Sequence, residues 1–257
     1  MKAISKHPRG LKVLFFTEMW ERMSYYGMRG ILVLFMTASI ADGGLNFNNA
    51  SASALYGIYA ASVYLATLPG GWIGDNILGQ QKTILYGGII IMLGHLSLAI
   101  PDINSFYIGL VLVVLGTGLL KPNISAMVGN LYEKNKDLRQ SGFTLFYMSI
   151  NLGSIIGFFI CGYLGENIGW HYGFGAAGIG MALGLMQYIY NIKLLEGYGV
   201  KPFNEINIKR KSKYNKIIIG TLLLILIITV SGLFGVWTIN PIPFANILTI
   251  LITLISL

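Results

Sequence analysis

Phe15-Phe16-Thr17-Glu18-Met19-Trp20-Glu21-Arg22-Met23-Ser24-Tyr25-Tyr26-Gly27-Met28-Arg29 sets two carboxylates and two guanidiniums inside an otherwise apolar run, residues 11–38. That run is long enough to cross about 30 Å of hydrocarbon, so a first membrane-spanning helix is expected here. Charge in a bilayer is costly and tends to face a cavity or a partner, where it marks a substrate or proton path. Glu18, Arg22, Tyr25 and Arg29 keep i, i+4, i+7, i+11 spacing and fall on one helix face. That face is where function is expected.

Working outward, the chain of 257 residues is 54% hydrophobic and 11% charged, with mean hydropathy +0.66. Soluble domains carry about 25% charged residues, so the expected class is an all-α polytopic membrane protein. Further apolar runs lie near 50–72, 83–101, 106–131, 142–164, 171–192 and 216–237, and another starts at Phe244. The net charge of +8 does not point to nucleic acid. Of 18 Lys and Arg, only Arg22, Arg29 and Lys121 lie inside apolar runs away from their first residues. The other fifteen gather in the N-terminal arm, at Lys82, at Lys134, Lys136 and Arg139, and in 193–216. The alternate connections hold Asp42, Asp102 and Glu166 with no Lys or Arg. Positive charge stays on the inner side, so the N-terminus is expected in the cytoplasm.

This reading divides the chain into a six-helix bundle (1–192), a basic cytoplasmic linker (193–215) and a helix hairpin (216–257). The second helix of the hairpin stops at Leu257, short of the about 20 residues needed to cross, so the sequence reads as the N-terminal part of a longer protein. No removable signal peptide is expected. The single cysteine, Cys161, allows no intrachain disulfide. Gly173-Phe174-Gly175-Ala176-Ala177-Gly178 spells a dinucleotide fingerprint, but no strand precedes it, and its glycines fit close helix packing better. No zinc-protease motif, nucleophile elbow or cysteine–histidine pair is present, so neither an enzyme nor a cofactor or metal is expected. Asn49-Ala50-Ser51 forms a sequon in an expected external loop, and His95 and His171 are read as structural.

Four motifs in order carry a family resemblance. Glu18-x-x-Glu21-Arg22-x-x-Tyr25-Tyr26-Gly27 resembles the first-helix signature of the proton-dependent oligopeptide transporters, a branch of the major facilitator superfamily. Gly70-Gly71-Trp72-Ile73-Gly74-Asp75, continuing to Lys82, is similar to the superfamily's loop between helices 2 and 3. Lys121-Pro122-Asn123 after Gly116-Thr117-Gly118 resembles the fourth-helix lysine motif, and Phe146-Tyr147 through Asn151-Leu152-Gly153 the fifth-helix signature. The resemblance implies a twelve-helix carrier of two six-helix bundles in a bacterial inner membrane, importing di- and tripeptides with protons. This chain would supply the first bundle and lack the C-terminal one; 216–257 would be the start of two extra helices between them.

By resemblance, Tyr25, Tyr26, Arg29, Tyr64, Lys121 and Asn151 line the peptide site. Glu18, Glu21 and Arg22, with Lys121, couple protons, and Asp75 and Lys82 latch helix ends. Gly57 stands where animal members carry a histidine, so no histidine relay is expected on helix 2. Gln80-Gln81 replaces a more basic pair, which leads to the expectation of a weak latch.

The chemistry agrees with these roles. Arg29 can fork onto a peptide carboxylate, Lys121 adds a point charge, Asn151 can donate and accept toward a peptide backbone, and the tyrosines form amphipathic walls. Lys121 is expected to pair with Glu18 or Glu21 in the empty carrier and to be released when that glutamate is protonated. Plainer alternatives stay open: a structural Glu18–Arg22 pair, a snorkelling Lys121, Asn151 as interhelical glue, and a packing role for Tyr64. A non-transporting fragment or membrane interaction module is the alternative for the whole chain.

Overall fold

A computed structural model describes residues 7–203. They form six long helices: α1 (Gly10–Thr37), α2 (Asn49–Ile73), α3 (Gln80–Leu98), α4 (Ile103–Leu131), α5 (Arg139–Asn167) and α6 (Trp170–Asn191). Short turns of helix at Gly74–Leu78, Lys136–Leu138 and Ile192–Leu195 link or extend them. There is no strand among the described residues. The hairpin expected over 216–257, and most of the linker before it, lie outside the described residues.

Two starts have clear local causes. The Asn48 side chain accepts from the Ser51 backbone N–H at 2.8 Å to open α2, and Asp102 accepts from the Ser105 N–H at 2.9 Å to open α4. Such caps satisfy one of the donors a helix start leaves unpaired. Asn49 therefore sits in the first turn of α2, and the sequon is helical rather than in a loop. Three helical segments, Asn49–Leu78, Ile103–Leu131 and Lys136–Asn167, are long and apolar enough to cross a membrane. α1 has the length, 28 residues, but carries the charged motif.

The connection between α2 and α3 departs from the sequence reading. An apolar run ending at Trp72 predicted a loop over 73–82. Instead the backbone stays helical through Leu78 and reverses at one residue, Gly79, at φ 78° and ψ 153°. A positive φ costs glycine least, and a Cβ here would collide with the Gly199 and Val200 carbonyls. Hydropathy reports partition into lipid, not backbone conformation. The extra turn persists because Gly74 fits beneath Asn123, whose side-chain oxygen an added Cβ would overlap.

α1 packs on α5 and α6, α3 on α4 and α6, and α2 on α4. Between helices in lipid, apolar burial gives little drive, so close approach of small residues and interhelical hydrogen bonds hold the bundle. On α5 the buried stripe is Gly142, Phe146, Ser149, Gly153, Gly157, Cys161 and Gly165. An added Cβ at Gly153 or Gly157 would run into the α1 carbonyls of Met19 and Met23. The α2–α4 crossing depends on Pro122. Proline has no N–H to give the carbonyl four residues earlier, which is that of Gly118, and Gly70 of α2 closes on that carbonyl. Asn123 then donates to Gly70 O at 3.0 Å and ties the same crossing.

The interior divides into two apolar blocks. One holds Met28, Ile31, Leu32, Phe35, Phe106 and Phe174. The other holds Leu11, Leu14, Ile84, Ile124, Met127 and Tyr188 at the end where the chain starts. On α1 and α4 the interval between the blocks carries buried polar groups: Thr17, Glu18, Glu21, Arg22 and Thr117.

Gly153→Leu is expected to lower stability by about 1–3 kcal/mol through overpacking. Gly162→Leu, where a Cβ meets nothing within 4 Å, is expected to stay within about 0.5 kcal/mol. Thermal unfolding of both variants in the same detergent checks the contrast.

Candidate functional site

Glu18, Glu21 and Arg22 are all but inaccessible, at 3%, 0% and 3% exposure. The Arg22 Nε lies 3.0 Å from Glu18 Oε1 across one turn, and it also contacts Glu21 Oε2. Neither contact meets hydrogen-bond geometry: Arg22 Nε, which makes both, has no hydrogen-bond partner among the described residues, and neither have Arg22 Nη2, Glu18 Oε2 and the two Glu21 oxygens. One guanidinium therefore faces two carboxylates chiefly through charge. The rings of Tyr25 and Tyr26 lie 5.2 and 6.0 Å from its central carbon, close enough for cation–π attraction. The neighbouring helices come close because they present little here: Gly153 of α5 meets the Arg22 stem and Met19 O, and Gly180 and Gly184 of α6 meet Met23 and Trp20.

The structure does not pair Lys121 with a glutamate. Both carboxylates go to Arg22, and the Lys121 ammonium lies 4.7 Å above the ring of Tyr64. It remains within electrostatic reach of Glu18 and Glu21. The physical reason for the difference is proximity: Arg22 shares a helix with both glutamates, whereas Lys121 must reach them from α4. Tyr64 itself is 63% exposed, so the lysine, not a packed core, covers its face.

Arg29 is held in the same way by a residue the sequence reading passed over. Its Nε donates to the Tyr56 hydroxyl, and its guanidinium lies 5.3 Å from the Tyr56 ring. Tyr56 and Tyr64, eight residues apart on α2, thus each carry one site cation. The signal available in the sequence was the run of tyrosines at 56, 59 and 64 on one helix. Asn151 is exposed on α5, with its backbone carbonyl accepting from the Ser154 hydroxyl at 2.8 Å. The structure therefore groups Glu18, Glu21, Arg22, Tyr25, Tyr26, Lys121 and Tyr64. Arg29 stands further along α1, and Asn151 is open on α5.

Asp75 is half-buried in the helical turn after α2 and Lys82 is exposed. No hydrogen bond or ion pair joins them among the described residues. The tie at this end is made by the two glutamines from which a weak latch was expected. Gln80 and Gln81 are buried. Asn130 donates to Gln80 Oε1 at 2.8 Å, the Tyr188 hydroxyl donates to Gln81 O at 3.1 Å, and Gln81 Nε2 donates to Tyr198 O at 2.7 Å. The Gln81 backbone N–H also donates to Gly199 O at 2.9 Å. Tyr198 and Gly199, in the stretch read as the start of a linker, are thus pinned to Gln81 of α3, and α4 and α6 hold the two glutamines in turn. Nearby, His7 Nδ1 lies 2.7 Å from the Tyr132 hydroxyl, whose proton affinity burial pushes up to about 12.

With this geometry in view, the sequence pattern defining the POT family matches residues 81–211. The chain belongs to the POT family. Curated relatives agree. It is 44% identical over 99% of its length to an uncharacterised transporter, YclF, of Bacillus subtilis, covering 52% of that protein. It is 44% identical over 95% of its length to a di-/tripeptide transporter of Lactococcus lactis subsp. cremoris, covering 49% of it. A crystal structure of a peptide transporter POT with sulfate matches at TM-score 0.87 and 39% identity, over 97% of this chain and 52% of the other. A POT family transporter in complex with 5-aminolevulinic acid matches at TM-score 0.83 and 39% identity, over 92% and 49%. The chain spans about half the length of these relatives. As a POT member it is an all-α, multi-pass membrane protein whose named relatives are transporters.

Two outcomes follow for this site. Arg22→Met leaves two buried carboxylates without their cation and is expected to cost about 3–5 kcal/mol; adding Glu18→Gln and Glu21→Gln restores most of it, as chemical denaturation would show. Gln81→Ala removes the side-chain tie to Tyr198 and is expected to speed proteolytic cleavage within 197–203 several-fold while α1–α6 stay intact, read on a gel of the digested protein.

Proposed function

We propose that this chain forms the first half of a proton-coupled symporter for di- and tripeptides in a bacterial inner membrane, with its N-terminus in the cytoplasm. The observation that supports this best is the buried Glu18–Arg22–Glu21 cluster standing within electrostatic reach of Lys121, which has no ion pair among the described residues. The names of the Lactococcus relatives supply the substrate class.

Fully ionised, Glu18, Arg22 and Glu21 carry one net negative charge, which Lys121 offsets from α4. A proton on either glutamate makes the cluster neutral and leaves the Lys121 charge uncompensated. A peptide carboxylate is the natural counter-ion, because an ammonium held over an aromatic face keeps donors available for it. Arg29, held by Tyr56, offers a second cationic contact, and Asn151 can pair with the peptide backbone. A second six-helix bundle would close over the exposed faces of α2 and α5 and complete the cavity. Asp75 and Lys82 stand at the end where such a carrier opens and shuts, and a latching role there belongs to the same proposal.

In proteoliposomes with an imposed pH gradient, this chain joined to a second bundle is expected to concentrate labelled dipeptide, with unlabelled peptides competing and nitrate not. Lys121→Ala should abolish the gradient-driven uptake. Concentrative transport by that variant at the unsubstituted level would end the reading. Uptake by the 257-residue chain alone would show that one bundle suffices.

A further inference from the structure

Arg29 and Arg22 stand two turns apart on one face of α1, yet they are held by opposite means. Arg22 lies buried against two carboxylates of its own helix. Arg29 is half-buried and makes no ion pair among the described residues. Its one hydrogen bond there runs from Nε to the Tyr56 hydroxyl of α2, a neutral partner from another helix. The central carbon of its guanidinium lies 5.3 Å from the centre of the Tyr56 ring. A guanidinium can present a carboxylate with either of two N–H pairs: the side edge, Nε with one Nη, or the end edge, Nη1 with Nη2. Tyr56 takes Nε, so the side edge is already used. The end edge is the one left for an acceptor with two oxygens.

We propose that Tyr56 is a positioning residue for Arg29: by holding Nε it aims the Nη1–Nη2 edge at the carboxylate of a bound peptide, and so sets how strongly a free carboxyl end is preferred over a capped one. The substrate in this statement rests on the function proposed above; the anchoring of Arg29 does not. A long, flexible arginine side chain loses rotamer freedom when a ligand orders it, and that loss subtracts from affinity. With Nε tied to α2, much of the ordering is complete before the peptide arrives. Charge alone would draw in any anion. An aimed end edge favours a planar group with two acceptor oxygens over an amide, which has one oxygen and no charge. Because the tether is a phenol and not an acid, the charge of Arg29 stays available to the ligand. Tyr56→Phe keeps the ring and its packing but removes the acceptor, so it separates aim from bulk.

Two measurements test this, and the first needs no transport. The 257-residue chain has five arginines, so nitrogen-15 arginine labelling in lipid nanodiscs gives few Nε signals, and the one lost in Arg29→Lys belongs to Arg29. Tyr56→Phe is expected to move that signal; an unmoved one overturns the proposal. The second uses the chain joined to a second bundle in proteoliposomes. Tyr56→Phe is expected to raise KM for a dipeptide with a free carboxyl end about tenfold while the maximal rate stays within about twofold. Inhibition by the same dipeptide with an amidated end should stay within about twofold. Equal weakening for both ligands, or a fall in maximal rate with KM unmoved, overturns the positioning role, since a merely structural tyrosine would act that way. A joined carrier that takes up no peptide would sink the function proposed above, with the arginine signal still deciding the anchoring. If Tyr56→Phe does not fold, the unsubstituted chain with labelled arginine and labelled tyrosine decides. A magnetic contact between an arginine Nε and a tyrosine Cζ that is lost in Arg29→Lys supports the proposal; its absence refutes it.

Discussion

One guanidinium answering two carboxylates in a space closed to water governs the rest of this molecule. Arg22 meets both glutamates at close range but off hydrogen-bond alignment, so the cluster relies mainly on short-range Coulomb attraction, which is strong only while water is kept out. Breaking a buried pair costs more than the pair contributes to stability. The arrangement is therefore better suited to being poised than to holding helices together. Its excess negative charge needs a cation that is near but not bound, and Lys121 occupies that place above Tyr64.

Keeping water out sets the packing. The two apolar blocks above and below the charged interval seal it along the bundle, and glycines on α5 and α6 let helices close over α1 without bulk. α2 has a different task. Its tyrosines take the faces of Arg29 and Lys121, holding two positive charges with aromatic rings rather than with acids. A carboxylate partner would neutralise those cations permanently, whereas a ring orients them and leaves their charge intact.

Much of this was legible in the sequence, and the reasons are physical. Four charges in twelve residues of an apolar run admit few explanations, so α1 stood out as the candidate site, and the six long helices followed from length and polarity. Three things were hidden. The 2–3 connection read as a loop because Asp75, Asn76 and the two glutamines are polar, yet polarity alone does not unwind a helix. Gln80 and Gln81 read as a weakened latch because charge was the only currency weighed, while their hydrogen bonds to Asn130, Tyr188 and Tyr198 come from distant sequence. And which cation would claim the glutamates could not be decided in one dimension. Arg22 won because it stands on the same helix, and Tyr56 meets Arg29 only across the approach of α2 to α1.

The buried Cys161 sits on the α5 stripe against Gly27, where an added Cβ would overlap its sulfur. It is also the chain's single thiol. Water-borne maleimides and spin-label reagents reach exposed thiolates, not a sulfur sealed between two helices. A cysteine introduced on the outer face of α2 or α5 will therefore be the sole reactive handle, and distance measurements by fluorescence or electron resonance can begin from the natural background without first removing anything.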